Sequence, residues 1–287
     1  MTISEFHAMT KLLDDPDITV YDHIEKKMVD FGKDVIPLLE NVWRNSRDLL
    51  VQTRIEEIIE RINFNKILDE FSLWKSLENP ELIDALTILN QLQYPNYDTA
   101  QLYRQIEEKS KEIWLELNEN LTALELVNVL NKIIFEMWSF RSVNDNDNDA
   151  FHYHFLSNLL ELRCGNQFSI SLFYLFIAEK MDLLMMPVLL EDQLVIAYLN
   201  EYKQADEVTG DDILFYINPN EGGLIFDDLS IRQWIMKHGL EEKSSYFLPT
   251  DNKQVIKTYI DRLIAGYTQK GAIKNVQFLE TLRSSFT

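Results

Sequence analysis

One segment, Phe168–Met181, constrains the fold of this chain more than any other. It reads as a helix, and its residues, which include SISLFYLFIAEKM, are apolar on nearly every side. Such a helix is stable only where other elements cover most of its surface. The chain has enough apolar material for that, because 46% of its residues are apolar and they include 16 Phe, 12 Tyr and 5 Trp. We therefore expect this segment to be the central helix of a packed domain.

The rest of the sequence favours further helices and one small sheet. Glycine is scarce, at 8 of 287 residues, and a chain with few glycines has few of the tight turns that join short strands. Three apolar runs after the central helix read as strands, at Leu183–Leu190, Leu194–Leu199 and Ile213–Ile217. The predicted fold class is α+β and helix-dominated, with a small antiparallel sheet over roughly Leu183–Phe226 packed on the helix.

The charge balance excludes one class of partner. The chain carries 27 Lys and Arg against 47 Asp and Glu, a formal net charge of −20. A phosphate backbone would be repelled by this charge, so we expect no nucleic-acid binding. A charged protein partner should be basic.

The sequence gives no sign of export or membrane insertion. Its first residues, MTISEFHAMTKLLDDPD, contain no basic segment followed by an apolar one, as a signal peptide would. No uncharged apolar run approaches the ~18 residues of a membrane span, and one cysteine cannot form an internal disulfide. We expect a cytoplasmic protein without a membrane partner.

Residues 1–63 contain an internal repeat with an offset of 31 residues. The offset aligns Asp17 with Asp48 and Ile24 with Ile55, and the apolar matches recur at helical spacing. Each copy therefore predicts one helix of a stacked pair. The order of a DDPD turn, a helix, a glycine and the run VIPLLENVW resembles short bacterial HEAT-type repeats. Two copies are fewer than the ~3 that such arrays usually need.

The remaining chain divides at one polar stretch. Residues 64–140 continue as helices, and Ser142–Asp149, SVNDNDND, is the clearest linker or exposed loop. Residues 150–240 carry the central helix and the strands, so 64–245 is predicted as one domain in two parts. Residues 246–287 read as a helical hairpin broken at Gly271.

Two patterns begin like metal sites, and neither is complete. Asp145–Asp149 starts like a calcium loop, but the positions that need glycine and a bidentate glutamate are Ala150 and Leu156. His152 and His154 would share a face only on a strand, and this region reads as a helix. We expect a solvated loop and ordinary histidines, with no metal and no cofactor.

The single cysteine, Cys164, is a candidate nucleophile. It precedes Gly165 at the junction into the central helix, and a helix N-terminus can make a thiol reactive. Catalysis would also need a base, yet no histidine lies between the cysteine and His238. The base would have to be that residue, His152 or His154, folded back onto the thiol. The residues favour a structural thiol.

Three segments of the chain resemble, in their order, the SirB-type branch of the transglutaminase-like superfamily. They are LLELRCGNQFSISLFYLFIAEKMDLLMMPVLL, EDQLVIAYL and ILFYINPNEGG. The resemblance covers most of residues 60–240, and the C-terminal hairpin resembles a tetratricopeptide-type pair. An N-terminal repeat accompanies this branch in some bacterial members. The resemblance implies a papain-like α+β core in which a glycine-containing loop leads into the buried helix.

The resemblance also implies where a catalytic triad would lie. In active relatives a cysteine opens the buried helix two residues after the glycine, and that position is Gln167 here. The histidine position falls on Gln193, and the Asp or Asn position falls on Asn218. Glutamine has no titratable group and cannot take a proton from a thiol. The resemblance therefore supports the fold and argues against the reaction.

The function expected from these positions is binding. We expect a non-catalytic transglutaminase-like protein, a pseudoenzyme, that acts as a protein- or peptide-binding module. The alternative is a cysteine-dependent amidase, peptidase or transglutaminase that uses Cys164 with a rearranged base. A purely structural subunit is a third interpretation. The sequence leaves the oligomeric state and the identity of the partner open.

Overall fold

The computed structural model describes residues 3–117, 120–143, 150–191 and 193–286. Its α-helices are α1 (Ile3–Thr10), α2 (Ile18–Asp30), α3 (Ile36–Asn45), α4 (Leu49–Ser76), α5 (Leu82–Asn90), α6 (Thr99–Glu116), α7 (Ala123–Asn131), α8 (Leu156–Leu162), α9 (Gln167–Lys180), α10 (Asp228–His238), α11 (Asn252–Gln269) and α12 (Ile273–Ser284). Its strands are β1 (Arg141–Ser142), β2 (Cys164–Gly165), β3 (Met185–Leu190), β4 (Gln193–Leu199), β5 (Ile213–Asn218) and β6 (Leu224–Phe226). In these residues, none of the helices combines the length and the apolar character needed to cross a bilayer.

The chain divides into two compact units. The first consists of Met1–Leu73 and Gln91–Pro95, and the second of Trp74–Asn90 and Asn96–Thr287. The second unit holds the central helix and all the strands named above, so it carries the candidate site.

In the first unit the repeated positions start two helices in the same way. Asp17 precedes α2 and Asp48 precedes α4, and each carboxylate accepts a hydrogen bond from the backbone amide two residues further on, at 2.9 Å and 2.8 Å. Ile24 and Ile55, also aligned by the repeat, are both buried. The helices then differ, because α2 has 13 residues and α4 has 28. The likeness to HEAT-type repeats remains a prediction.

In the second unit α9 is the central helix, as the sequence predicts. Every residue from Phe168 to Ala178 is buried. The Ser171 hydroxyl donates a hydrogen bond to the Leu194 carbonyl at 2.7 Å and so joins the helix to β4. Because an apolar helix can be stable only inside such a core, the other elements of the unit are arranged around it.

The predicted small sheet is present and antiparallel throughout, with strand order β3-β4-β5-β6. Ile196 of β4 lies opposite Ile217 of β5, so β4 begins at the end of the sheet where β5 finishes. The fold class is therefore the predicted one, a helix-dominated α+β fold. A separate parallel pair, β1 and β2, joins Arg141 to Cys164 and was outside the prediction.

The predicted helix Phe151–Leu162 is wrong in its first half. Ala150–His154 form a 3₁₀ turn, and α8 begins only at Leu156. Phe155 between them is extended, with φ −87° and ψ 133°. The Tyr153 carbonyl accepts hydrogen bonds from the amide that precedes α9 and from a serine hydroxyl of α9, so it does not continue an α-helix.

In the C-terminal region α11 and α12 are separated at Gly271, whose φ is +69°. Their likeness to a tetratricopeptide-type pair remains a prediction. The calcium-like run Asp145–Asp149 and the predicted linker from residue 144 onwards lie outside the described residues.

Replacing Phe173 with Asp should unfold the second unit. The ring is fully buried and stacks on Phe140 with 4.5 Å between ring centroids. A carboxylate there would have no partner, which costs several kcal/mol. Leu175→Asp should act in the same way, because Leu175 is 5% exposed. Thermal melts followed by far-UV circular dichroism measure the effect.

The control is Phe173→Leu, which keeps the position apolar and should cost only about 1–2 kcal/mol. A folded and soluble Phe173→Asp protein would show that α9 is not central.

Candidate functional site

The three positions that the resemblance assigns to a triad lie at one end of the central helix and sheet. Gln167 is the first residue of α9, Gln193 the first of β4 and Asn218 the last of β5. The bond from Ser171 to Leu194 ties the N-terminal part of α9 to the start of β4. The antiparallel register brings the end of β5 to the same edge. The fold thus groups the three residues at one place.

None of these three side chains can serve as a base. The Gln167 amide nitrogen is buried and has no hydrogen-bond partner among the described residues. Asn218 is engaged by its own loop, because its Oδ1 accepts from the Asn220 amide at 3.1 Å and its Nδ2 donates to Glu221 Oε1 at 3.2 Å. Amide side chains can hold a ligand by hydrogen bonds, but they cannot exchange protons with a thiol at neutral pH.

Cys164 lies in strand β2, before the start of the helix. Its side chain is buried, and the Arg141 Nε atom donates a hydrogen bond to its sulfur at 3.1 Å. This bond raises the pKa of the Arg141 guanidinium above its ordinary value. The residue that caps α9 is Asn166. The helix N-terminus is therefore occupied by the Asn166 side chain, whereas the Cys164 sulfur is hydrogen-bonded to Arg141 of the neighbouring strand β1.

The Asn166 cap also holds a histidine. Its side chain is fully buried, its Oδ1 accepts from the Ser169 amide at 2.8 Å, and its Nδ2 donates to His154 Nδ1 at 2.8 Å. Because Nδ1 accepts, the neutral ring carries its proton on Nε2. Burial, together with the positive charge of Arg262, lowers the pKa of His154 to about 4. A histidine with so low a pKa is a weak base for a thiol.

The HxH pair does not form a metal site in the described chain. His152 and His154 lie in the 3₁₀ turn rather than on a strand. Within the described ranges, no group of three His, Cys, Asp or Glu side chains is placed to hold a metal ion.

A hydrogen-bond network that the sequence reasoning missed fixes the turn after β5. The Tyr174 hydroxyl of α9 donates to Asn131 Oδ1 at 3.0 Å, and Asn131 Nδ2 donates to the Gly223 carbonyl at 2.7 Å. One asparagine at the end of α7 therefore links the central helix to the Gly222-Gly223 turn. Only the two glycines indicated a special backbone there, and the sequence carried no signal for the asparagine 92 residues away.

Replacing Gly223 with Ala should destabilise the second unit. Its φ is +80°, and a Cβ atom would lie 1.9 Å from Asn131 Oδ1. The new methyl group would displace Asn131 from both of its partners, and the backbone would also be strained. Together we expect these effects to lower the free energy of unfolding by roughly 3 kcal/mol or more. Chemical denaturation measures this loss.

Gly222→Ala is the matched control. Its φ is +66°, but a Cβ there meets nothing within 4 Å, so only the backbone cost of about 1–2 kcal/mol is expected. Equal losses in the two variants would show that the contact with Asn131 is unimportant.

The stability of the protein should depend on pH through His154. The unfolded ring has the ordinary pKa of ~6.5, whereas the folded pKa is about 4, so between these values the unfolded chain binds the extra proton. The free energy of unfolding is therefore highest above about pH 6.5 and falls towards pH 4, by about 3 kcal/mol from this group. Urea unfolding at several pH values measures the slope.

His154→Gln keeps an acceptor for Asn166 and should remove the contribution of His154 to the pH dependence of the free energy of unfolding. His238→Gln, at an exposed position, is the control and should leave that dependence unchanged. Identical slopes in the wild type and the His154→Gln variant would contradict the assignment.

Comparison with known protein families agrees with this geometry. The family model for the transglutaminase-like superfamily matches residues 100–261, a range that contains Cys164 and all three grouped positions. No curated protein and no solved structure matches the chain. The family match covers more than half of the 287 residues. The chain therefore belongs to the transglutaminase-like superfamily.

Proposed function

We propose that this chain is a non-catalytic member of the superfamily that binds a protein or peptide partner. The observation that carries the proposal is the pair of glutamines, Gln167 and Gln193, at the positions that the resemblance assigns to nucleophile and base. They lie with Asn218 at one end of the helix and sheet. In this proposal the three residues take the places of a triad, and side chains that could transfer protons are absent from these three positions.

The surroundings of Cys164 support an inert thiol. The residue is only 7% exposed, so reagents and substrates have little access to its sulfur. His154, a candidate base, is bonded to Asn166 instead. Nucleophilic catalysis requires a base within hydrogen-bond reach of the nucleophile, and this histidine is already engaged elsewhere.

The binding role is supported by charge and by the helical elements. A net charge of −20 favours a basic partner. Helical hairpins such as α11 and α12, and repeated helices such as those of the first unit, commonly provide surfaces for protein partners. The SirB-type assignment, the HEAT-like and tetratricopeptide-like features, a bacterial source and a cytoplasmic location belong to the same proposal.

A cysteine-dependent amidase, peptidase or transglutaminase is the second candidate, and Arg141 is the observation that favours it. Reactive cysteines commonly lie beside a cationic side chain, and the guanidinium is 3.1 Å from the sulfur of Cys164. In that case Cys164→Ala should abolish activity.

Alkylation of the native protein by iodoacetamide separates the two candidates. The chain has one cysteine, so the signal needs no assignment. We expect slow modification from about pH 6 to 9, and fast modification only after unfolding, because the thiol is buried. Rapid modification with a midpoint well below the free-thiol value of ~8.5 would support the enzyme instead.

Gln167→Cys in a Cys164→Ser background is the matched control, because it again leaves one thiol. The new thiol would open α9, where the helix N-terminus favours a thiolate, and we expect it to react faster than the native one. Adding Gln193→His should accelerate it further. A new thiol as slow as Cys164 would show that Gln167 is not the nucleophile position.

A further inference from the structure

A groove lies at the opposite end of the sheet from Gln167 and Gln193. Its volume is about 620 Å³, within the ~300–1,000 Å³ of ligand pockets. It is formed by the last turns of α9, the start of β3, the end of β4, the segment before α5 and the start of α11. Asn252 of α11 donates to the Pro80 carbonyl at 2.9 Å and joins two of these walls. The whole groove belongs to the second unit.

The floor of the groove is apolar. Leu82, Leu175 and Leu199 line it and are at most 5% exposed. Met185 and Met186 of β3 are half-buried beside them. Methionine side chains are flexible and polarizable, so they adapt to apolar groups of different shapes.

Five carboxylates stand around this floor. Within the described ranges, none of them forms an ion pair with a lysine or arginine. They are Glu78, Glu81, Glu179, Asp182 and Asp251.

The lysines of the groove do not balance these charges. Lys203 Nζ lies 2.6 Å from Asp212 Oδ1 and 3.1 Å from Glu201 Oε1, so its charge is already compensated. Lys253 is the other lysine in the lining. The wall therefore carries an excess of negative charge.

The pKa of the Glu179 side chain is affected by this excess of negative charge. Its pKa is raised from the ordinary value, first by desolvation and then by the negative charge of Glu81, with a smaller contribution from Asp84, and the positive charge of Lys180 offsets only part of this effect. A cation bound between these side chains would reduce their mutual repulsion.

The edge strand β3 is poorly suited to pairing with an added strand. Pro187 has no amide hydrogen, and its carbonyl accepts from the Thr250 amide at 2.9 Å. The Met185 amide donates to the Leu183 carbonyl at 2.8 Å. An occupant of the groove has to be recognised by its side chains rather than by its backbone.

We propose that this groove binds a segment of a partner protein in which lysine or arginine stands beside an aliphatic side chain. The inference rests on the proposed binding function and adds where on the protein the partner binds and which side chains the partner presents. Long basic side chains fit both parts of the groove, because their stems cover apolar surface while their heads reach the carboxylates. Tyr202, which is 78% exposed in the lining, offers an aromatic face to a cation.

Selection from a library of N-acetylated, C-amidated hexapeptides on the full chain tests the proposal. We expect enrichment of Lys or Arg together with Leu, Ile or Met. Fluorescence anisotropy then gives the Kd of one selected, fluorescein-labelled peptide. Glu81→Gln combined with Glu179→Gln should weaken its binding about tenfold.

Glu241→Gln combined with Glu280→Gln is the matched control. Both residues are exposed and lie outside the groove lining. The control removes the same two charges and should change the Kd by less than about twofold, because salt screens distant surface charges.

A second pair of substitutions is chosen to preserve the fold. Asp182 has a φ of +53°, a conformation that Asn tolerates well. Asp251 caps α11 by accepting from the Gln254 amide at 2.8 Å, and Asn caps helices equally well. Asp182→Asn combined with Asp251→Asn should therefore weaken the peptide by a similar factor without unfolding the protein.

The possible outcomes distinguish a failure of the groove proposal from a failure of the proposed binding function. Weaker peptide binding in either of the two double variants of the groove, provided that the variant is folded and the control is unchanged, supports the groove as the binding site. Binding that neither pair weakens, or that the control weakens equally, overturns the groove and leaves a peptide-binding protein. Selection of basic residues without aliphatic ones, with equal affinity for spermine, also overturns it. A library without any selected sequence overturns the groove, and together with rapid alkylation of Cys164 near neutral pH it overturns the proposed function too.

Discussion

The burial of α9 on every side is the constraint on which the rest of the second unit depends. A helix without a polar face needs apolar cover in each direction. β4 covers one side, and Tyr259 of α11 stacks on Phe168 with 6.1 Å between ring centroids on another. The two serine hydroxyls of the helix donate to backbone carbonyls, Ser171 to β4 and Ser169 to the 3₁₀ turn before α8, both at 2.7 Å. The starts of α9 and β4 therefore cannot separate without exposing this helix, which is why Gln167 and Gln193 stay grouped.

The two ends of the same helix differ in chemistry. At the N-terminal end two pairs of polar side chains are hydrogen-bonded to each other, Arg141 to Cys164 and Asn166 to His154. At the C-terminal end five carboxylates surround an open groove whose lining contains two lysines. In our proposal the end that performs chemistry in active relatives serves here to hold the fold, and the partner is recognised at the end that carries the excess of negative charge.

Much of the core could be predicted, because its signals are local. Helix α10 is an example: the Asp227 side chain caps its start, and Gly239, whose φ of +65° is a glycine conformation, ends it. The strands β3, β4 and β5 also follow from apolar runs and turn residues, whereas the three-residue strand β6 was not predicted. The pair β1 and β2 could not be predicted, because two-residue strands have no periodicity. Nor could the partner of Cys164, since Arg141 lies 23 residues away in the chain and a tertiary contact of that kind leaves no pattern in one sequence.

The strand order has a consequence for how folded copies of this protein can associate. Of the two outer strands of the four-stranded sheet, β3 contains Pro187, and β6, Leu224–Phe226, has only three residues. A long, open edge with free amides is what allows sheets of different molecules to join and aggregate. This sheet offers no such edge. The four-stranded sheet is therefore poorly suited to strand-mediated aggregation, and among the described residues the helical and loop surfaces are better placed to join several copies.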